Sequence, residues 1–450
     1  MKKTKASLAL LIAALLCVSM FSACVQSGPG ASSPDAQQNN PASDAPSVDV
    51  SDDQVNTEHS GTITHWVWGE YEMDGARDFN LFYPNLNVNY VAIPQDEYTQ
   101  RLQTTVASGL ELPDVVNLEM TPRAQFIAMD AWENLEAAPF NLDRSLLVPM
   151  SIPLVSNDRG EIVSVQIDNC VGGYAFNREL AIKYFGTDDI AELEAKFPTF
   201  ESIIDIAGTI DSDDYLFAGV DDAFMALFGL YTTEPLVVDG KLNLEYAYLP
   251  TYEYLEKLVA ADAVNMYLQW SPAWNTAFAE NNILFWPGPS WFLTFVMKAN
   301  DSDSVGKYGV MNPPGGGFSW GGTSYSIPKA RPDEQKLLAW EYIRWFTMSI
   351  EGNRSFVREQ ATPTLFLPSF DTDMYDGNED PYFGGQDVVR KLIEISQDPK
   401  TNVRPMTAYD QGIQDANDIV RRHIEQGMGA QEAYDRLVAE VLLTFPELSA

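Results

Sequence analysis

From Gly61 onward the chain alternates between short apolar runs and helix-spaced patterns. Thr62–Trp68 alternates in part and has strand composition. Gly69-Glu70-Tyr71 interrupts it, and a helix is expected through Ala76–Phe82. Tyr83-Pro84-Asn85 reads as a turn and Val88–Ile93 as a second strand. Tyr98, Leu102 and Val106 lie on one face of a helix that runs to Ser108 and is capped by Gly109. Leu112-Pro113-Asp114 then leads into a third strand, Val115–Leu118. The order β-α-β-α-β predicts an α/β fold with a parallel sheet covered by helices.

Further on, Phe278–Phe295 changes character twice. A polar turn at Glu280-Asn281-Asn282 gives way to Ile283-Leu284-Phe285-Trp286, which Pro287-Gly288-Pro289-Ser290 stops before Trp291 opens a second apolar run. A short buried strand ending in a Pro/Gly break predicts a large flat side chain at a strand end, where open α/β sheets hold ligands. Trp340 and Trp345 follow helical spacing in LLAWEYIRWF and are expected in a core.

The ends of the chain change the picture. Lys2, Lys3 and Lys5 precede an apolar Ser7–Phe21 that is short for a membrane span, which predicts an export signal over residues 1–23. Phe21-Ser22-Ala23-Cys24 resembles the lipobox of bacterial lipoproteins, so Cys24 is the expected lipidation site and anchors the chain to the membrane. With Cys17 removed and Cys24 acylated, Cys170 is left without a disulfide partner. Residues 24–60, rich in Ser, Pro, Ala, Asn, Gln and Asp, are expected to be a disordered tether.

At 450 residues the chain has room for two or three domains. Its 28 basic and 64 acidic side chains give a formal charge of −36, which opposes nucleic acid and anionic ligands. The catalytic motifs G-x-S-x-G, H-E-x-x-H and the phosphate-binding Walker loop are absent. Histidine occurs only at 59, 65 and 423, which argues against a His-based metal or Ser/His site. Asp371-Thr372-Asp373-Met374-Tyr375-Asp376-Gly377 evokes a calcium loop, but its Gly comes one place late and position twelve is Tyr382, so no metal or cofactor is expected.

YPNLNVNYVAIPQDEYTQRLQTTVASGLELPDVVNLE resembles the opening of the bacterial extracellular solute-binding proteins of family 1, the sugar type. VGGYAFNREL (171–180), Phe197–Ala207, Phe278–Trp291, GGTSYSIPKARPDEQKLLA within Gly309–Ala339, and Gly427–Leu437 resemble later motifs of that family in the same order. The resemblance implies a two-lobed, periplasmic-binding-protein-like fold of class II. One lobe would hold residues 61–170 and 323–369, the other 171–322 and 370–450. Crossings are expected near Asp168–Val171, Thr323–Ser326 and Pro368–Asp371, with a ligand cleft between the lobes.

A sugar presents apolar C–H faces and a rim of hydroxyls, so its site needs flat aromatic platforms and convergent polar groups. Seven Trp lie in strand-end or loop contexts: 66, 68, 270, 274, 286, 291 and 320. Carried over by position, the resemblance places Trp68, Glu70, Gln95, Asp96 and Glu119 at the site from the first lobe. From the second it places Tyr174, Asp222, Trp291 and Tyr409, with Trp320 and Tyr325 around a crossing. The expected function is capture of a carbohydrate by a lipid-anchored monomer on the outer face of the cell membrane. Delivery would be to the permease subunits of an ABC importer, with no catalytic residue. Two alternatives stay open: a secreted glycosidase using Glu70, Glu119 or Asp222 as its acid/base pair, and a binding protein for a peptide or polyamine.

Overall fold

The computed structural model describes residues 50–450, residue 402 excepted. The expected signal segment, Cys24 and most of the expected tether lie outside the described residues. The last part of that tether is not loose. Asp52–Gln54 forms a 3-10 turn, Asn56 N–H donates to Phe82 O at 2.7 Å, and Gln54 Nε2 reaches Glu351 at 3.0 Å. Residues this polar have little apolar surface to bury, and backbone and side-chain hydrogen bonds hold them instead.

The first lobe is built on a five-stranded sheet. β1 (Gly61–Val67), β2 (Leu86–Ala92) and β3 (Val115–Glu119) run parallel, with Ile63 opposite Val88 and Trp66 opposite Val116. The strand order β2-β1-β3-β11-β4 is completed by β11 (Thr323–Ser326), antiparallel to β3, and by β4 (Val165–Gln166), antiparallel to β11. Three early helices cover this part of the chain: α1 (Glu70–Gly75), α2 (Gln95–Ser108) and α3 (Met120–Ile127). α2 presents Tyr98 and Leu102 to a core with Trp66, Val116, Leu118 and Phe126, and Gly109 closes it at φ 62. The helix expected over Ala76–Phe82 is instead two pieces, Glu70–Gly75 and Phe79–Phe82. A Cβ at Gly75 would fall 2.7 Å from the Phe356 ring, so α1 ends where that ring lies against its backbone.

The second lobe centres on β5 (Val171–Asn177), buried along its whole length. A hairpin, β6 (Val237–Val238) and β7 (Lys241–Leu242), lies apart from its sheet. β5 pairs antiparallel with β8 (Phe285–Gly288), β9 (Tyr308–Met311) and β10 (Phe318–Ser319). Around them stand α4 (Arg178–Phe185), α5 (Val220–Tyr231), α6 (Glu245–Ala260), α9 (Asp410–Glu425) and α10 (Ala430–Thr444), whereas α7 (Asp333–Met348) and α8 (Ile350–Gln360) pack on the first lobe, against β1 and α1. Of these, α7 carries Trp340 and Trp345 into the interior on the first-sheet side, as its spacing predicts. The chain passes between the sheets through two short segments, from Gln166 to Val171 and from Ser319 to Thr323, and after α8 it returns to the second lobe, where the helix Val388–Gln397 packs on β5.

The stretch 278–295 splits at its Pro/Gly break. Trp286 is fully buried and stacks on Phe278 at 4.0 Å between centroids. Past the break the backbone enters a π-helical segment, Phe292–Met297, a wide geometry that recurs at functional sites. It buries Phe292, Leu293 and Met297 and leaves Phe295 exposed.

Candidate functional site

A cleft of about 680 Å3 opens where the two crossings meet the strand ends. The first lobe supplies Trp68 and Tyr71 after β1, Gln95 at the start of α2 and Glu119 at the end of β3. The second supplies Trp270, Trp291, Phe295 and Trp320. Asp168, Gly321, Gly322 and Thr323 form its floor, and Phe356, Gln360 and Thr362 its side. None of the described residues lining it is Lys or Arg.

Hydrogen bonds between the crossings hold the floor. Trp320 N–H donates to Cys170 O at 3.0 Å. The Trp291 indole N–H donates to Trp320 O at 3.1 Å, which fixes the ring without using a ligand. Its centroid lies 4.9 Å from that of Trp320, edge to face. Asp168 accepts from Thr323 N–H and from the Cys170 thiol, each at 3.1 Å. Burial pushes the Asp168 carboxyl above its usual range, and burial, then Asp168, pushes the Cys170 thiol up, so Cys170 is no nucleophile at neutral pH. Glu119 is likewise raised by burial while it accepts from Gln95 Nε2 at 3.1 Å. Tyr71 and Thr323 share a hydroxyl contact of 2.9 Å across the lobe–crossing junction.

Beneath the floor, Arg123 on α3 has no exposed surface. Its guanidinium donates to Gln166 Oε1 at 2.9 Å, to Gly322 O and, at 3.4 Å, to Leu118 O. One side chain thus ties the end of β3 to both crossings. Burial lowers it to about 10, which leaves it charged at neutral pH. The crossing admits no side chain at its glycines: a Cβ at Gly321 would lie 2.7 Å from Trp291 Nε1, and one at Gly322 2.4 Å from Gln166 Nε2. Both have φ near +90 to +100, a region that glycine takes without strain.

Of the residues selected from sequence, Trp68, Gln95, Glu119, Trp291 and Trp320 are brought together in this cleft. The other six are not. Glu70 and Asp96 are exposed in the first turns of α1 and α2, where a carboxylate suits the helix dipole. Tyr174 is buried in β5 against Phe217 and Phe285. Tyr325 is fully buried in β11 beside His65 and Tyr342. Tyr409 precedes α9 and packs edge-on against Phe445 at 5.1 Å. Asp222, 1% exposed, accepts from the Trp274 indole at 3.0 Å and from Gln269 at 3.1 Å; burial pushes it up to about 7. The glycosidase set is therefore not assembled, because only Glu119 of its three carboxylates lines the cleft.

Sequence reasoning did not select Tyr71, Asp168, Trp270, Phe295, Thr323, Phe356, Gln360 or Thr362. Trp270 carried a signal, as a loop Trp four residues before Trp274. Asp168 lay inside a predicted crossing, and a residue shared by both lobes is placed to meet anything held between them. The other acidic stretch, 371–377, is engaged with arginines: Asp373 with Arg354 at 2.8 Å and Asp376 with Arg390 at 2.7 Å. Among the described residues no cluster of His, Cys, Asp and Glu is placed to hold a metal ion, and no helix is long and apolar enough to cross a membrane.

A second, smaller cavity of about 130 Å3 lies across Trp320, lined by Phe224, Phe228, Tyr248, Met406 and Asn417.

The family model of bacterial extracellular solute-binding proteins matches residues 76–379. No curated protein matches the chain. Among solved structures, an extracellular solute-binding protein of family 1 superposes with a TM-score of 0.75 at 19% identity, over 84% of this chain and 98% of the other. The galacto-N-biose/lacto-N-biose I-binding protein of the ABC transporter of Bifidobacterium longum, solved with lacto-N-biose, gives 0.69 at 16% identity over 88% and 100%. The sugar-binding protein of Xanthomonas citri gives 0.67 at 17% over 85% and 98%.

Proposed function

The chain belongs to the bacterial extracellular solute-binding proteins, and from that premise we propose that it captures a neutral carbohydrate between its lobes. It then hands the sugar, chemically unchanged, to the membrane subunits of an ABC importer. The observation that carries this reading is the cleft lining: four indoles and a tyrosine ring beside Gln95, Glu119, Asp168, Gln360 and Thr323, with no basic side chain. Aromatic faces match the C–H faces of a pyranose, and the amides, hydroxyls and carboxylates match its hydroxyl rim. The same lining disfavours anionic sugars, because Glu119 and Asp168 would face their charge at low dielectric. The related binding proteins solved with lacto-N-biose and with β-1,6-galactobiose support the sugar class.

Capture works through closure. A ligand that touches Trp68 and Glu119 on one side and Trp291 on the other is held fully only when the lobes meet, so its binding selects the closed arrangement. The crossings at 167–170 and 320–322 are short, and Gly321 and Gly322 supply the backbone freedom. In this reading Cys24 carries the lipid that keeps the protein at the outer face of the membrane. The protein acts as a monomer and performs no covalent step.

The test is a thermal-shift screen against neutral oligosaccharides, uronic-acid oligosaccharides, polyamines and short peptides. A ligand at about a hundredfold its Kd adds roughly 2.7 kcal/mol to the folded state. The expected result is a raised midpoint with some neutral saccharides and none with uronates. A shift with polyamines alone would replace the carbohydrate with a cation as the cargo.

A further inference from the structure

Five described non-glycine residues have positive φ. Three are Asn141, Asp239 and Asp262, types that tolerate this region, and Ala361 closes α8. The fifth is Trp270, at φ 67. A bulky side chain in this conformation is strained, and such strain gathers at ligand sites. The Trp270 ring is also 52% exposed. It is nonetheless held firmly. Gln269 is fixed to Asp222, Ser271 N–H closes a turn on Leu268 O at 3.0 Å, and the ring packs on Trp274 at 5.1 Å. A strained backbone thus holds an indole at the cleft mouth, where burial does not explain it.

Phe295 shows the same pattern by a different device. It stands on the outer side of the π-helical segment and is 55% exposed. Both rings line the cleft together with Trp291. The Trp270 and Trp291 planes differ by 17°, with centroids 6.3 Å apart, so the apolar surface runs outward from Trp291 with its faces alike in orientation. A single sugar enclosed by Trp291, Trp68 and the crossings would leave Trp270 and Phe295 in water.

We propose that Trp270 and Phe295 form an outer stacking subsite for the second and later rings of an oligosaccharide whose first ring lies on Trp291. The cargo is then a chain of at least two sugars. This rests on the carbohydrate reading above and adds the length of the ligand to it. Covering the two rings removes exposed apolar surface that the empty protein leaves in water.

The test is titration calorimetry of the full-length protein and three variants, Trp270→Gly, Phe295→Ser and the control Leu443→Ser, an exposed leucine on α10. The probes are glucose, galactose, mannose and xylose, each with its di-, tri- and tetrasaccharide. Wild type should bind a trisaccharide at least about tenfold more tightly than its monosaccharide. Trp270→Gly and Phe295→Ser should abolish that gain, weakening the trisaccharide far more than the monosaccharide, and Leu443→Ser should change nothing. Glycine takes φ 67 without strain, so Trp270→Gly keeps its unfolding midpoint and a folding defect is told apart from a lost subsite. Length-independent binding by wild type, or equal weakening for one ring and for several, would overturn the proposal. So would variants with intact affinities that slow only uptake by cells, which would make the two rings a transporter-docking lip. If wild type binds no saccharide at all, the carbohydrate reading itself has failed, and the subsite fails with it.

Discussion

Trp286 and Trp291 stand five residues apart and do opposite work. The first fills the core of the second lobe against Phe278 and Trp274; the second is half-buried at the cleft. Truncating a buried aromatic leaves a cavity, so Trp286→Ala should lose about 3–5 kcal/mol in urea unfolding. Trp291→Ala should cost much less stability and instead weaken ligand binding by about tenfold or more. Equal effects on stability from the two changes would contradict this division. At the residue scale the sequence carried part of the site. Trp291 could be selected from the Pro/Gly break before it, and Trp68 and Trp320 from the positions that the family resemblance gives to the site. Tyr174 and Tyr325 sit in strands buried on both faces, where alternation no longer tells inside from outside, and the structure puts them in the core. Asp222, which the resemblance places at the ligand site, instead supports Trp274 and Gln269 and so acts on the cleft through the segment that carries Trp270. The φ of Trp270 leaves no mark in composition or spacing.

Among elements, the crossings decide the behaviour of the site. Arg123 holds β3 and both crossings together, and Gln166 passes the link on to Asp168 O at 2.7 Å. Arg123→Met would leave the Gly322 carbonyl and the Gln166 amide oxygen without their donor, at about 1–3 kcal/mol for each buried acceptor that water does not reach, while Leu118 O keeps the Ser324 hydroxyl at 3.2 Å. Arg123→Lys should lie between, since one ammonium does not span the fork. Chemical denaturation of the three proteins checks the order: wild type, then Lys, then Met in falling stability. The parallel opening β1-α-β2-α-β3 was legible because its apolar periods switch cleanly between strand and helix. The break in the first helix was not, because it depends on the Phe356 ring, which lies far away in sequence and against Gly75 in space. The π-helical segment after Trp291 was equally hidden, since its apolar residues also fit an ordinary helix.

For the molecule as a whole, a deeply acidic chain keeps several carboxyls out of water. Burial pushes Glu72, which accepts from Asn117, up to about 8. Between about 4.5 and 8 the folded chain therefore holds a proton that the unfolded chain has released. Stability from this group falls as pH rises through that window, by at most about 1.4 kcal/mol per pH unit. His65, bonded to Asn117 at 2.7 Å and pushed down to about 4 by burial, has the opposite slope between about 4 and 6.5. Glu72→Gln removes the first slope only, so its stability relative to wild type should climb from pH 5 to pH 8 in urea titrations. A difference that stays flat with pH would mean that the Glu72 carboxyl is not held protonated. None of this network was visible beforehand, because Glu72, Asn117 and His65 come from separate segments that only the sheet brings together. The two-lobed plan was legible, since the motif order along the chain constrains topology more than any single residue constrains chemistry.

The central claim is that a neutral sugar is held between the lobes and released unaltered. Equilibrium dialysis of the protein against the oligosaccharide with the largest thermal shift, followed by chromatography of the recovered sugar, tests it most directly. The account predicts saturable uptake of one ligand per chain, loss of that uptake in Trp291→Ala, and recovery of the intact oligosaccharide. Uptake that survives the loss of Trp291 unchanged, or recovery of shortened sugars, would contradict it.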